Sequence, residues 1–163
     1  MIILGIDPGI ATMGYGILKT EKGRTEVLDY GVVVTPKEES TPVRLAMLEK
    51  GICTIIEKYK PDEVAIEELF FNKNVKTAII VAQARGAILL TCIKQCGRLY
   101  EYTPLQIKQG LTGYGRAEKS QIQYMVKMLL NLKEIPKPDD AADALAVALC
   151  HSNTNKLSAG FII

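Results

Sequence analysis

The stretch Met1-Ile-Ile-Leu-Gly-Ile-Asp-Pro-Gly9 decides how the rest of the chain is read. An apolar run that stops at a carboxylate and a Pro-Gly turn predicts a buried β-strand over Met1 to Asp7. A charge at the carboxyl end of a buried strand reaches the rim of a sheet, which is where open α/β folds bind ligands. Asp7 is therefore the first candidate for chemistry. Asp-Pro and Pro-Gly are also ordinary turn sequences, so on this stretch alone a turn role accounts for Asp7 equally well. Acidic positions further along the chain, each at the end of an element, tip the balance.

Working outward, Gly14 to Lys19 and Val27 to Val34 are β-rich and separated by a charged turn at Glu21 to Arg24, which predicts an antiparallel meander with the first strand. The spacing Leu45, Leu48, Ile52, Ile55, Ile56, Tyr59 predicts an amphipathic helix over Pro42 to Tyr59. Glu63-Val-Ala-Ile-Glu67 follows as a short strand that also ends in acid, as expected of a parallel crossover. Helices are predicted over Lys76 to Cys96, Pro104 to Leu111, Ala117 to Leu132 and Asp140 to His151, with a strand at Leu99 to Tyr102 and a Gly-rich loop at Thr112 to Arg116. The order implies an α/β fold: a mixed sheet of a meander plus parallel strands, with helices on both faces. One domain over residues 1–151 and a poorly defined tail from 152 to 163 are expected.

Hydrophobic residues make up 48% of the 163 and charged residues 23%, which excludes disordered and fibrous classes. The first strand has no basic stretch before it and no small-residue cleavage site after it, so a cytoplasmic protein is expected. No apolar segment reaches the length of a membrane span without a charge, so no membrane partner is expected. Cys53, Cys92, Cys96 and Cys150 form no Cys-x-x-Cys pair and read as buried free thiols, and a single His argues against zinc. Net charge is +2, but its distribution is uneven: residues 69–137 hold eleven Lys and Arg against three Glu, a balance of +8, leaving −6 elsewhere. Such a basic band is either a set of solvated helix faces or a track for phosphates beside an acidic centre.

The acidic centre is drawn from three elements. Asp7 ends the first strand, Glu67 or Glu68 ends the fourth, and Asp140 and Asp143 lie one helical turn apart, so both can face one spot. Hard oxygen donors suit magnesium or manganese better than zinc. Two such ions can activate a water and steady a leaving oxygen in phosphodiester hydrolysis. Plainer roles exist: Asp139 as a helix N-cap, Asp140 as a charge favouring the positive helix end, Glu68 as a solvated residue. Asp143 resists such a reading, because it sits inside the apolar run Ala141 to Leu149, where an unpaired charge is costly.

Together these residues resemble the RuvC Holliday junction resolvases, nucleases of the ribonuclease H-like fold. The likeness is carried by I-L-G-I-D-P-G (3–9), A-I-E-x-x-F (65–70), Q-A-R-G (83–86), A-E-K-S-Q (117–121) and D-A-A-D-A-L-A (140–146). It implies a five-stranded ribonuclease H-like sheet and a magnesium-dependent endonuclease, with manganese able to substitute. The four catalytic, metal-holding acids would be Asp7, Glu67, Asp140 and Asp143. Lys108 and Lys119 would be the basic residues of the site, and Phe70 the aromatic that contacts the junction. Lys73, Lys76, Arg85 and Arg116 from the basic band would extend the DNA path; for Phe71 the sequence leaves the role open, with capping of the sheet as the plain alternative. The resemblance further implies paired nicking of four-way junctions with a preference for a short T-rich sequence, and co-operation with the branch-migration proteins RuvA and RuvB. Symmetric cutting calls for two sites, so a homodimer is expected, joined through the helix Lys76 to Cys96, which is apolar nearly all round.

Three other readings fit parts of the sequence. An ATP-driven protein of the actin and Hsp70 type also opens with a strand, Asp and Gly, but pairs two such lobes in a far longer chain. A related nuclease acting on ribosomal RNA precursors is disfavoured by the Lys108 and Lys119 motifs. A non-catalytic nucleic-acid binder is disfavoured by acids at all four positions.

Overall fold

The computed structural model describes residues 1–68 and 75–154, with residues 75–77 described in their backbone only. Five strands form one sheet in the order β3-β2-β1-β4-β5: β1 (Ile2–Asp7), β2 (Thr12–Glu21), β3 (Arg24–Val34), β4 (Glu63–Glu67) and β5 (Leu99–Tyr102). The first strand is the central one. It pairs antiparallel with β2 and parallel with β4, and β4 pairs parallel with β5. The β2–β3 hairpin runs longer than its apolar cores suggest. Lys22 (φ 50°) and Gly23 (φ 79°) both take positive φ, the two-residue turn whose twist matches that of the flanking strands.

Helices cover both faces. On one lie α1 (Thr41–Tyr59) and α2 (Val75–Cys96), where Leu48, Ile52, Ala84, Ile88 and Cys92 pack against Leu4, Ile6, Val64 and Ile66. On the other lie α3 (Pro104–Thr112), α4 (Lys119–Leu129) and α5 (Asp139–Asn153), where Ile107, Ile122, Val126, Leu145 and Leu149 pack against Ile3, Leu18 and Ala65. Side chains alternate across a strand. Ile3, Gly5 and Asp7 therefore share the α5 face, as do Glu63, Ala65 and Glu67. Each Leu or Ile buried in these layers is worth about 1.5–3 kcal/mol relative to exposure, which is what holds α5 flat on the sheet.

Each helix differs from the sequence reading by a residue or more at an end, and the differences at α4 and α5 bear on the site. The helix expected over Ala117 to Leu132 is α4, Lys119–Leu129. Glu118 is its extended N-cap, joined to Gln121 in a reciprocal capping box, and Asn131 turns the chain at φ 50°. Asp139 is not a cap: Pro138 holds that position and Asp139 is the first helical residue.

Among the described residues one segment, Ala78–Cys96, is long and apolar enough to cross a membrane by length and composition. Within it, however, Ala84, Ile88 and Cys92 are core residues of the sheet layer, and Arg85 is ion-paired with Glu101 of β5. Cys92 and Cys150 are buried, Cys53 and Cys96 half-buried, and all four are free thiols.

Candidate active site

Strand pairing puts the first two acids side by side. The parallel register runs Ile3 with Glu63 through Ile6 with Ile66, so one step further Asp7 stands level with Glu67 on the same face. Glu67, rather than Glu68, is thus the acid beside Asp7. The backbone N–H of Glu68 continues the pairing by donating to the Tyr102 carbonyl at 2.8 Å.

The other two acids arrive on α5, and glycines let that helix come close enough. Gly14 lies opposite Asp7 in the β1–β2 pair. A Cβ on Gly14 would stand 1.9 Å from the Asp140 carbonyl oxygen, and one on Gly5 would stand 2.2 Å from the Ala144 carbonyl oxygen. Only bare backbone permits this approach. It lays the first turns of α5 directly over the ends of β1 and β2, which brings Asp140 and Asp143 to Asp7.

The electrostatics follow from that crowding. Burial, joined by the charges of Glu67, Asp143 and Asp140 and opposed by Lys119, pushes the Asp7 carboxyl up to about 8. Burial and the charge of Asp143 push Glu67 up to about 7, against Lys119 and Lys108. Asp143 is also raised, chiefly by burial, while the Lys119 hydrogen bond holds it back. Carboxylates gathered in this way resist full ionisation until a cation joins them.

Lys119 is the cation nearest to hand. Its ammonium donates to Asp143 Oδ2 at 2.8 Å and lies 3.7 Å from Asp139 Oδ2. Lys108 shares with Lys119, Glu67 and Asp143 a cleft of about 190 Å³ floored by Ile107, Ile122 and Ala146. Asp139, for which a cap is the plainer sequence alternative, is a surface acid drawn toward Lys137 at 2.7 Å and toward Lys119.

The donor set fits a hard divalent cation of the magnesium type: all donors are carboxylate oxygens, they come from three elements, and their repulsion is relieved only by positive charge. The side chains are neighbours without being closed. Among the described residues no three His, Cys, Asp or Glu side chains already surround a common point as metal ligands.

The remaining candidates are distributed as follows. Arg116 is exposed in the loop before α4. Arg85 is largely buried and ion-paired with Glu101, so its charge is already met within the chain. Phe70, Phe71 and Lys73 lie outside the described residues, as does the side chain of Lys76. Sequence reading found no use for the one histidine. His151, at the far end of α5, bonds Glu63 through Nε2 at 2.8 Å and Tyr102 through Nδ1 at 2.7 Å, anchoring the helix to β4 and β5. The signal was present in principle, since an acid at the start of a buried strand needs a partner, but the two residues are 88 positions apart.

Residues 3–151 match the family model described as crossover junction endodeoxyribonuclease RuvC. A protein of that description from Clostridioides difficile is 59% identical over 157 residues, 96% of this chain and 93% of the relative. One from Alkaliphilus oremlandii is 58% identical over 163 residues, 100% of this chain and 99% of the relative. Among solved structures, Thermus thermophilus RuvC in complex with a Holliday junction substrate superposes with a TM-score of 0.93 at 34% identity, covering 100% of this chain and 99% of that one.

Proposed function

The chain belongs to the RuvC family of crossover junction endodeoxyribonucleases, and from that premise we propose that it resolves four-way DNA junctions by metal-dependent phosphodiester hydrolysis, through a single nuclease domain spanning residues 1–151. The observation that carries the proposal is the meeting of Asp7, Glu67, Asp140 and Asp143 at one end of the sheet, with Lys119 against them. The four acids hold magnesium, with two ions per site and manganese as a substitute. Bound there, the metal supplies an activated water and positive charge for the leaving oxygen. Asp7 and Glu67 fix the strand side of the site, and Asp140 and Asp143 close it from α5. Lys119 and Lys108 hold the scissile strand by its phosphates and oppose the charge that develops on them. Phe70 wedges against an unstacked base at the branch point. Lys73, Lys76 and Arg116 extend the phosphate track, which Arg85 joins only by exchanging Glu101 for a phosphate. The work is cytoplasmic, leaves ligatable ends, prefers a short T-rich sequence and is coordinated with RuvA and RuvB.

The experiment is a comparison of substrates. Labelled four-way junction, linear duplex and structured RNA are incubated with the protein in magnesium, manganese or EDTA. Junction cutting at paired positions, dependent on either metal, is expected. Equal cutting of linear duplex, or cutting confined to RNA, overturns the reading.

Resolution needs two symmetric cuts, so we assign the second site to a second copy. Helix α2 presents Ile79 (56% exposed), Ile80, Leu90 (54%) and Ile93 to solvent, opposite the stripe it buries in the core. A two-fold contact through that face covers it. Ile80→Asp or Leu90→Asp is expected to give a monomer that nicks junctions without resolving them, as read by sedimentation alongside product analysis. A wild-type monomer that resolves junctions fully at the same concentration disproves the assignment.

A further inference from the structure

A second cleft lies beside the site, on the neighbouring face of α4, and the known chemistry makes no use of it. Its volume is about 450 Å³, against about 190 Å³ for the cleft holding Glu67, Lys108, Lys119 and Asp143. Its floor is apolar: Ala117 is buried and Met125 packs against the core. Tyr114 and Tyr124 form its walls with 58% and 54% of their surface in solvent. Ser120 and Gln121 stand on the lining as exposed polar groups. Two large aromatic rings facing water beside an apolar floor, with polar groups close by, match a flat ligand that is apolar on its faces and polar at its edges.

The loop that carries Tyr114 is held in place before any ligand arrives. Thr112 Oγ1 shares its one proton between the Lys108 carbonyl at 2.8 Å and the Tyr114 carbonyl at 2.9 Å, and it accepts from the Tyr114 N–H at 3.0 Å. Gly113, at φ 69°, ends α3 and lets the chain turn there. Gln121 accepts from the Glu118 N–H through Oε1, which leaves its amide nitrogen as a donor.

Connection to the site identifies the ligand class. Thr112 hangs from the carbonyl of Lys108, and Ser120 directly follows Lys119, so each side of the cleft is attached to one of the two lysines of the active site. Residues 104–129 carry Lys108, Arg116, Lys119 and Lys127 against Glu118 alone, a balance of +3 that favours a polyanion. A strand held over Lys108 and Lys119 by its phosphates therefore passes this cleft. We propose that Tyr114 and Tyr124 receive an unpaired nucleobase of the substrate strand next to the scissile phosphate, and that this contact sets part of the sequence preference. The proposal rests on the nuclease reading above.

The test uses the full-length protein and four-way junctions carrying 2-aminopurine at positions flanking the cut, held uncut in EDTA. Wild type is expected to change the fluorescence of one flanking position on binding, through removal of the base from its own stack and its stacking against the two rings. Tyr114→Leu and Tyr124→Leu should lose that change and bind about tenfold more weakly, the loss expected for one stacked base. In magnesium they should also flatten the ratio of rates between favoured and disfavoured flanking sequences. The Phe variants of the same residues should restore both effects, which assigns them to the aromatic rings rather than to the hydroxyl groups. Both rings are half-exposed, so the fold should survive, and a thermal melt checks that it does. Leu variants with wild-type fluorescence and wild-type preference overturn the cleft alone, leaving a protein partner as its occupant. A wild type that neither binds nor cuts junctions sinks the nuclease reading and the cleft with it.

Discussion

Asp7→Asn should lower junction cleavage at least about a thousandfold and, in EDTA at pH 8, raise the melting temperature by several degrees. The first effect follows from the metal-holding role proposed for Asp7, for which about 4 kcal/mol of transition-state stabilisation is an ordinary size. The second comes from the same crowding seen from the side of folding. Asp7 titrates near 8 in the folded chain against an ordinary 3.8, so the folded state keeps a proton that the unfolded chain releases. A raised acid therefore costs stability progressively as pH rises from about 4, and the cost levels off above about 8. Asparagine carries no such cost. The gain is expected to be about 1–3 kcal/mol, less than the full shift implies because unfavourable charge is relieved by relaxation and water entry. The variant and the wild type should melt together near pH 4 and diverge towards pH 8. Saturating magnesium should reverse the order, stabilising wild type more than the variant. Calorimetry at pH 4, 6 and 8, with and without magnesium, reads all of this. A variant that melts lower than wild type at pH 8 in EDTA would show that Asp7 serves the fold rather than the site.

The parts of this site that were legible in the sequence were those with a local signature. The strand ending in Asp7 declares itself by an apolar run meeting Pro-Gly, and Asp143 by its place inside Ala141 to Leu149. Spacing leaves Glu67 against Glu68 open, because a one-residue shift turns a strand over; the family resemblance points to Glu67, and pairing with β1 puts that acid beside Asp7. Long-range partners were illegible for a different reason. Glu63 and His151, or Arg85 and Glu101, carry no sign in the sequence that they meet. Nothing in the sequence singles out the two tyrosines of α4 and its preceding loop; they stand out only when that loop is seen to be tied to Lys108.

The same division explains why α5 can deliver two carboxylates to the rim while being almost wholly buried. Its far end is anchored by His151 to Glu63 and Tyr102, and its middle by Leu145 and Leu149 in the core. The amino-terminal turn then has little freedom. Asp140 and Asp143 are held by the fold in the direction of Asp7 and do not depend on a ligand to find it. Preorganisation of this kind is where a rate is gained, since the reacting groups need not be gathered during the reaction.

The glycine at position 14 is the most sensitive test of that arrangement, although it bears no functional group. Alanine there would place a Cβ 1.9 Å from the Asp140 carbonyl oxygen and 2.5 Å from its carbon, both backbone atoms. The clash cannot be relieved by a rotamer change. Sliding α5 along the sheet does not help, because the next contact is closed as well, with the Ala144 carbonyl oxygen and Ala148 Cβ over Gly5. The amino-terminal turn must lift, and Asp140 and Asp143 lift with it. Overpacking of this kind costs about 1–3 kcal/mol, and a displacement of about 1 Å at a reacting centre costs on the order of a hundredfold in rate. Gly14→Ala is therefore expected to melt several degrees lower and to cut junctions about a hundredfold more slowly at saturating metal. Gly23→Ala separates the two effects. Gly23 sits in the β2–β3 turn at φ 79° with nothing within 4 Å of an added Cβ, so it should lose stability through backbone strain alone and keep its rate. A Gly14→Ala enzyme as fast as wild type, or a Gly23→Ala enzyme slowed as much as Gly14→Ala, would mean that the seating of α5 on bare backbone does not position the acids.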